Sequence, residues 1–289
     1  MTTNIDLDHL RGWIGRQETT TEALTPDLVR RFRATFDIGG PIPQPGEAVP
    51  RLIHWCLGQP AVATAALGPD GHPARGGFLP PGPLPRRMWA GGAVRFTGDL
   101  RVGQVMERLS RIADVTLREG RSGSLCFVTV EHLISAAGRV VATERQDIVY
   151  RAAPDSAAAG PGPAPKPAPL KPAPAGRHHR PVEIGPALLF RYSALTFNGH
   201  RIHYDRDYAT GVEGYPGLVI HGPLQATLLF NYAAGLDGRA SDRFSFRSLS
   251  PLFDGDAVRL HASETEDGLK LWTAHDGGPV AMTAEAGWD

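Results

Sequence analysis

Residues 190–236 read FRYSALTFNGHRIHYDRDYATGVEGYPGLVIHGPLQATLLFNYAAGL, and this stretch decides the fold. It opens on a polar cluster, Asn198, His200, Arg201, His203 and Asp205, crosses a loop containing Gly and Pro, and reaches His221-Gly222-Pro223. A run rich in Leu, Ala and Thr follows. Pro223 fits a first helical turn, where a missing N–H costs nothing, and Gly235 is expected to end the helix. Leu224, Ala226, Leu228, Leu229, Phe230, Tyr232 and Ala233 lie nearly all round such a helix, so a sheet is expected to wrap it. The first N–H groups of a helix lack intrahelical partners and can polarise a carbonyl or hold an anion. Gly222 has no Cβ to hinder that approach. The polar loop and the helix start form the candidate site.

Strand patterns flank this stretch on both sides. Upstream, residues 93–97, 107–118, 124–135 and 139–151 are separated by turn signals at Gly98-Asp99, Glu119-Gly120-Arg121 and Ala137-Gly138. Downstream, residues 243–248, 257–264, 269–275 and 279–287 repeat the order. Both series close on a hairpin, with Gly138 in one and Gly277-Gly278 in the other at the turn. Between them, residues 152–176 read AAPDSAAAGPGPAPKPAPLKPAPAG, an extended Pro/Ala linker that cannot build a core. The chain therefore divides into 1–151, a linker over 152–176, and 177–289. The repeated order predicts an α+β tandem in which each half is an antiparallel sheet with a helix against it, the two sheets pairing side by side. In the first half a helix opens at Thr25-Pro26, and residues 52–67 are expected to be helical, with His54 and Trp55 structural. Residues 68–92 read as a Gly/Pro loop anchored by Phe78, Leu79, Met88 and Trp89, able to cover a pocket.

Composition excludes several classes. The chain has 289 residues, 42% hydrophobic, enough for a sizeable core, and its 30 basic and 30 acidic side chains cancel. That balance argues against a nucleic-acid or membrane-surface protein. Cys56 and Cys126 stand alone, as buried thiols do. His200, His203 and His221 lack a metal-binding spacing, so no metal is expected. The polar N-terminus reads unlike a signal peptide and no apolar run reaches the roughly 20 residues of a membrane span, which makes the cytoplasm the expected setting.

A polar loop with a His, then HG, a buried helix and a curled antiparallel sheet resembles the hot-dog fold of MaoC-type (R)-specific enoyl-thioester hydratases. In that family an acidic residue lies five positions before a catalytic His, and a Gly about nineteen later supplies an oxyanion-hole N–H. The resemblance puts His203 and Gly222 in the last two roles and Asn198 at the acidic position. ALTFNGHRIHYDRDYA with EGYPGLVIHGPL resembles the hydroxyacyl-thioester dehydratase type 2 branch, in which Asn is usual there. GGFLPPGPLPRRMWAGG and ADVTLREGRSGSLCFVTVEH extend the likeness to double hot-dog members typified by mesaconyl-C4-CoA and itaconyl-CoA hydratases.

The resemblance implies a tandem hot-dog hydratase or dehydratase acting across the C2–C3 bond of an enoyl-CoA ester, with the thioester as substrate and no cofactor. Water addition builds charge on the carbonyl oxygen, which the Gly222 N–H is suited to hold. His203, titrating near neutrality, is expected to move the proton, and Asn198 to hold the water or fix the imidazole. A branched dicarboxylyl substrate needs a cation, with Arg201, Arg247, Arg86 and Arg87 as candidates and His221 as a further substrate-side residue with a structural alternative. Asp205 is read as a helix cap. The alternatives are a 3-hydroxyacyl-thioester dehydratase of fatty-acid or polyketide metabolism, and a thioesterase using Glu213. Exposed sheet edges make a homo-oligomer plausible.

Overall fold

The computed structural model describes residues 5–73, 76–120, 123–152 and 171–289. Its centre is a single ten-stranded antiparallel sheet, with α1 (Leu7–Arg11), β1 (Gln17–Ala23) and α2 (Pro26–Thr35) leading into β2 (Arg86–Phe96), β3 (Val105–Gly120), β4 (Gly123–Ala136) and β5 (Arg139–Arg151). The second half contributes β6 (His178–Pro181), α3 (Pro186–Leu195), α4 (Gly222–Asp237), β7 (Arg243–Ser248), β8 (Val258–Thr265), β9 (Gly268–His275) and β10 (Val280–Gly287). The strand order is β1-β3-β4-β5-β2-β7-β10-β9-β8-β6. The halves join where β2 pairs with β7, from Gly91 opposite Arg247 to Arg95 opposite Arg243. This is the pair of joined antiparallel sheets that the repeated strand order predicts, in the tandem hot-dog architecture that the family resemblance implies.

Helix α4 is the spine of the second half. Pro223 sits in its first turn, and Leu224 to Phe230 and Tyr232 to Ala233 are buried, in contact with β8, β9, β10, β7 and β2. The helix runs through Gly235, since a single glycine costs only about 1 kcal/mol inside a packed helix, and stops at Gly238, whose φ of 89° is left-handed. Thr25 caps α2 as expected, its side chain accepting from the Leu28 N–H at 3.1 Å.

The first half departs from its prediction over 52–67. Instead of a helix there are two 3-10 turns, Ile53–Cys56 and Thr64–Ala66. Leu52 at φ 67° and Gly58 at φ 63° break helical geometry on either side of the first turn, and Pro60 closes off any extension. His54 and Trp55 are nevertheless structural: His54 Nε2 and Trp55 Nε1 each lie 2.9 Å from a carboxylate oxygen of the buried Glu144. The loop after them is shorter than expected, because β2 begins at Arg86. Phe78 and Leu79 anchor it on a second core cluster around Tyr150, Ile112 and Val128.

Residues 153–170 of the linker lie outside the described residues. The end that is described runs along the second half: Ala173 N–H donates to Gly278 O, and Pro174 O accepts from Trp272 Nε1. Cys56 and Cys126 are both buried, and burial pushes the Cys56 thiol up to about 12. No helix among the described residues is long and apolar enough to cross a membrane.

Candidate active site

The site forms where the loop after α3 folds back against the start of α4. Phe197 turns the chain at φ 48°, and Asn198 Oδ1 accepts the His200 N–H at 2.9 Å, a local turn that sets the loop's direction. The 3-10 turn Arg201–His203 follows, and Asp205 caps the next turn by accepting the Tyr208 N–H at 3.0 Å. Ile202 O and Val219 N–H bond at 2.9 Å, which brings the polar loop beside the strand-like segment leading to Gly222.

His203 is 7% exposed, and its Nδ1 lies 2.6 Å from Val219 O. A carbonyl only accepts, so Nδ1 carries the hydrogen and Nε2 keeps a lone pair. His221 stacks behind it at 3.6 Å between ring centroids, nearly parallel, and is itself 1% exposed, with Nε2 2.9 Å from Ser193 Oγ. His200 stands edge-on to His203 at 5.3 Å. Burial holds all three imidazoles neutral: it lowers His203 to about 3, with help from His200 and His72, lowers His200 to about 3, and puts His221 well below its ordinary range. The sequence expectation that His203 titrates near neutrality is therefore corrected: in the folded protein it is a neutral base. The Gly222 N–H, first in α4, makes no hydrogen bond among the described residues. A Cβ at Gly222 would stand 3.4 Å from Ser248 Oγ and 3.7 Å from Trp89 O, which marks how closely β7 and β2 approach.

The family model for hydroxyacyl-thioester dehydratase type 2 matches residues 52–254. Mesaconyl-C(4)-CoA hydratase of Chloroflexus aurantiacus is 44% identical over 272 residues, covering 94% of this chain and 95% of that one. The chain belongs to the hydroxyacyl-thioester dehydratase type 2 family. Among solved structures, HtdX of Mycobacterium tuberculosis superposes with a TM-score of 0.66 at 20% identity, covering 93% of this chain and 100% of that one. A second Mycobacterium tuberculosis protein, described as having a double hot-dog fold, gives 0.52 at 15% identity over 94% of each chain. These two structures establish the shared fold, and the family membership makes the chain an acyl-thioester hydro-lyase.

Within that family frame the cation candidates separate. Arg201 is held by Asp205, with Nε and Nη2 at 3.0 and 2.8 Å from Oδ2, and lies over the Tyr208 ring. Arg86 bonds the Glu213 carbonyl at 2.6 Å and its carboxylate at 2.8 Å, so neither Arg86 nor Glu213 stands open to a ligand. Arg247 is exposed and alternates along β7 with the inward Phe246, which puts it on the sheet face opposite to Phe246. Arg87 has no hydrogen-bond or ion-pair partner among the described residues. It lies two positions before Trp89, which packs on Trp55 and Phe246, and its charge helps to lower His200. His221, 1% exposed, stacks on the His203 ring, the placement of the structural alternative. Asn198 is spent on the His200 backbone through Oδ1 and leaves its NH2 group; the imidazole is fixed by Val219 instead.

Two residues were missed by sequence reasoning. Asp70 and His72, on the covering loop of the first half, reach the polar loop of the second: Asp70 Oδ2 lies 3.0 Å from His72 Nδ1, and the His72 ring lies 4.1 Å from that of His200. The signal was the Asp-Gly-His triplet, two titratable groups across a turn glycine. Donor atoms of Asp70, His72 and His200 lie within 4.8 Å of one another, a composition that suits a divalent metal. His72 Nδ1 and Asp70 Oδ2, however, already use each other, as a hydrogen-bonded dyad does.

Proposed function

We propose that this chain hydrates a short, branched dicarboxylyl-CoA ester of the mesaconyl-C4 type, with His203 as base and the Gly222 N–H as oxyanion donor. The observation that carries the reading is that, among the described residues, neither His203 Nε2 nor the Gly222 N–H makes a hydrogen bond, while the Ile202–Val219 bond draws their two segments together. Water placed by the Asn198 NH2 group gives a proton to His203 Nε2 while its oxygen bonds to C3. The C2–C3 π electrons move onto the thioester as an enolate, whose oxygen the Gly222 N–H and the α4 dipole stabilise. C2 then takes a proton from an acid group of the site and His203 gives up the one it gained, so one water has been added. The reverse order removes it.

Substrate size and charge have their own support. Trp55, Trp89 and Phe246 meet edge to face at 5.1 to 5.8 Å beside the Gly222 backbone, a wall that favours a short acyl group over a long one. Arg87, without an ion-pair partner among the described residues and two positions before Trp89 on β2, is the cation we assign to a distal carboxylate. The 44% identity to mesaconyl-C(4)-CoA hydratase over nearly the whole of both chains supports the same choice. The thioesterase alternative loses its carboxylate, since Glu213 is held by Arg86.

The test is an absorbance and mass assay of wild type and His203→Ala with mesaconyl-C4-CoA, itaconyl-CoA and crotonyl-CoA. A gain of one water on a dicarboxylyl ester, lost in the variant, is the expected result. Hydration of crotonyl-CoA alone moves the substrate to fatty-acyl chains, and release of free CoA without a hydrated product overturns the hydratase reading.

A further inference from the structure

Once His203 has taken the proton from water, C2 needs one in the same turnover, returned by the new imidazolium or given by a second acid. Asn198, at the usual carboxylate position, cannot be that acid, which leaves a gap. We propose that the first half fills this gap: the Asp70–His72 dyad, laid across the catalytic loop, is the acid of the site. The inference rests on the hydratase reading of His203 and assigns the one role that reading leaves open.

The dyad is built into place. Asp70 Oδ1 accepts the His72 backbone N–H at 3.1 Å and Oδ2 lies 3.0 Å from Nδ1, so both carboxylate oxygens orient the same residue. The loop carrying them is stitched to the catalytic loop, with Arg201 N–H donating to Asp70 O at 2.9 Å and Arg201 Nη1 to Pro69 O at 3.0 Å. Gly71, at φ 85°, and Gly199 cross so closely that a Cβ on Gly71 would overlap the Gly199 carbonyl, and one on Gly199 would come within 2.7 Å of Gly71 O. Larger residues would push the loops apart. From there the imidazoles form a row, His72 to His200 at 4.1 Å and His200 to His203 at 5.3 Å.

Of the four imidazoles at the site, His72 is the one hydrogen-bonded to a carboxylate among the described residues. A neighbouring carboxylate favours the imidazolium, whereas burial disfavours it in the other three. Other charged and titratable groups near the dyad are found among the described residues. Asp205 is committed to Arg201, the Tyr208 phenol is pushed up by burial, and Arg87 opposes a second cation near His200. Burial works against ionisation of Asp70, but the bonds and charge of His72 outweigh it and hold the carboxyl below its usual range. In hydration, protonated His72 releases a proton toward C2, directly or through one water, as His203 gains one from the attacking water. Transfer of the His203 proton back to His72 along the row or through solvent resets both.

Two readouts test this. In the pH profile of kcat with the best CoA ester, wild type should lose activity on an alkaline limb as His72 deprotonates. His72→Gln should lose about 10²-fold in kcat at neutral pH and lose the limb, with KM little changed. Asp70→Asn, which keeps the loop's shape, should move the limb about one unit or more to lower pH. Independently of turnover, NMR titration of the imidazoles should show the His72 ring taking its proton at higher pH than those of His203 and His221. A limb that persists in His72→Gln, a loss confined to KM, or a His72 ring that does not titrate overturns the assignment. So does wild-type activity that a chelator abolishes and zinc restores, since that would make the three donors a metal site. If wild type hydrates no ester, the function fails instead, and the NMR arm still decides whether the dyad is the protonated pair.

Discussion

In the second half, a buried polar cluster is left chemically open; in the first, a comparable cluster is closed. His203 is buried with one nitrogen bonded and the other bare, next to an N–H that nothing among the described residues accepts. Glu144 is buried as deeply, yet His54 and Trp55 donate to both of its oxygens, and His132, anchored on Ser110 and Gln146, adds its charge. The two halves share one sheet plan, so the difference lies in what covers it. A 16-residue helix whose first N–H points into the site covers the second half; a 3-10 turn that delivers Trp55 and His54 to a carboxylate sits under the first. Satisfying a buried group stabilises a fold, whereas leaving one unsatisfied and accessible to a ligand makes a reaction feasible.

This contrast makes opposite substitutions diagnostic. His203→Gln should lower kcat about 10³-fold, roughly 4 kcal/mol of barrier, while the melting temperature moves by no more than a few degrees. Steady-state kinetics beside calorimetry decide it; a collapse of stability with normal specific activity would reverse the roles of the halves. Glu144→Ala should do the opposite. Removing the carboxylate strands buried His54 and Trp55 groups, at about 3–5 kcal/mol, which lowers the melting temperature by roughly 10 °C with the specific activity of the folded fraction retained.

Acid should also find the open cluster first. His200, His203 and His221 are depressed in the folded state by burial, so between about 6.5 and their folded values the unfolded chain binds more protons. Their contribution is fully present above about pH 6.5 and is lost as the pH falls toward 3. Glu144 also has a lowered folded value, because the bonds and charges of His54, His132 and Trp55 outweigh the burial that opposes them, and its contribution is lost only as carboxylates titrate. Urea midpoints should therefore fall from pH 6.5 to 5, and His203→Gln should flatten that slope by one proton, about 1.4 kcal/mol per pH unit. An unchanged slope would mean that His203 is not held neutral.

Much of this was legible from local pattern. Strands over 139–151 and 243–248 and the start of α4 at Gly222-Pro223 match the structure because alternation and cap chemistry act locally. Strand β1, QETTTEA, escaped because it is a polar edge strand whose order comes from pairing with β3. The 3-10 turn at Ile53–Cys56 escaped because its geometry depends on Glu144, distant in sequence. The same reason hid the dyad: nothing near Asp70 and His72 announces that the other half's loop will lie against them. Gly222 and the polar loop were singled out from the helix start itself, the choice of His203 within that loop came through family likeness, and the partners that decide among four arginines were not legible at all.

Those arginines give the finest test of the comparison, because the sharpest cation on offer to the second half's site comes from the first half. Arg87→Met should raise KM for a dicarboxylyl ester about tenfold or more, the usual size of a lost bond to a charged group, and leave crotonyl-CoA unchanged. Arg247→Met, on the far face of β7, should change neither by more than about twofold. Their positions explain the asymmetry. On β2 the alternation that turns Trp89 toward Trp55 and Phe246 turns Arg87 the same way, while on β7 the alternation that buries Phe246 turns Arg247 outward. Equal effects from both variants would mean that the substrate carboxylate is not read from the inner face, and that the first half contributes a wall and an acid but no charge.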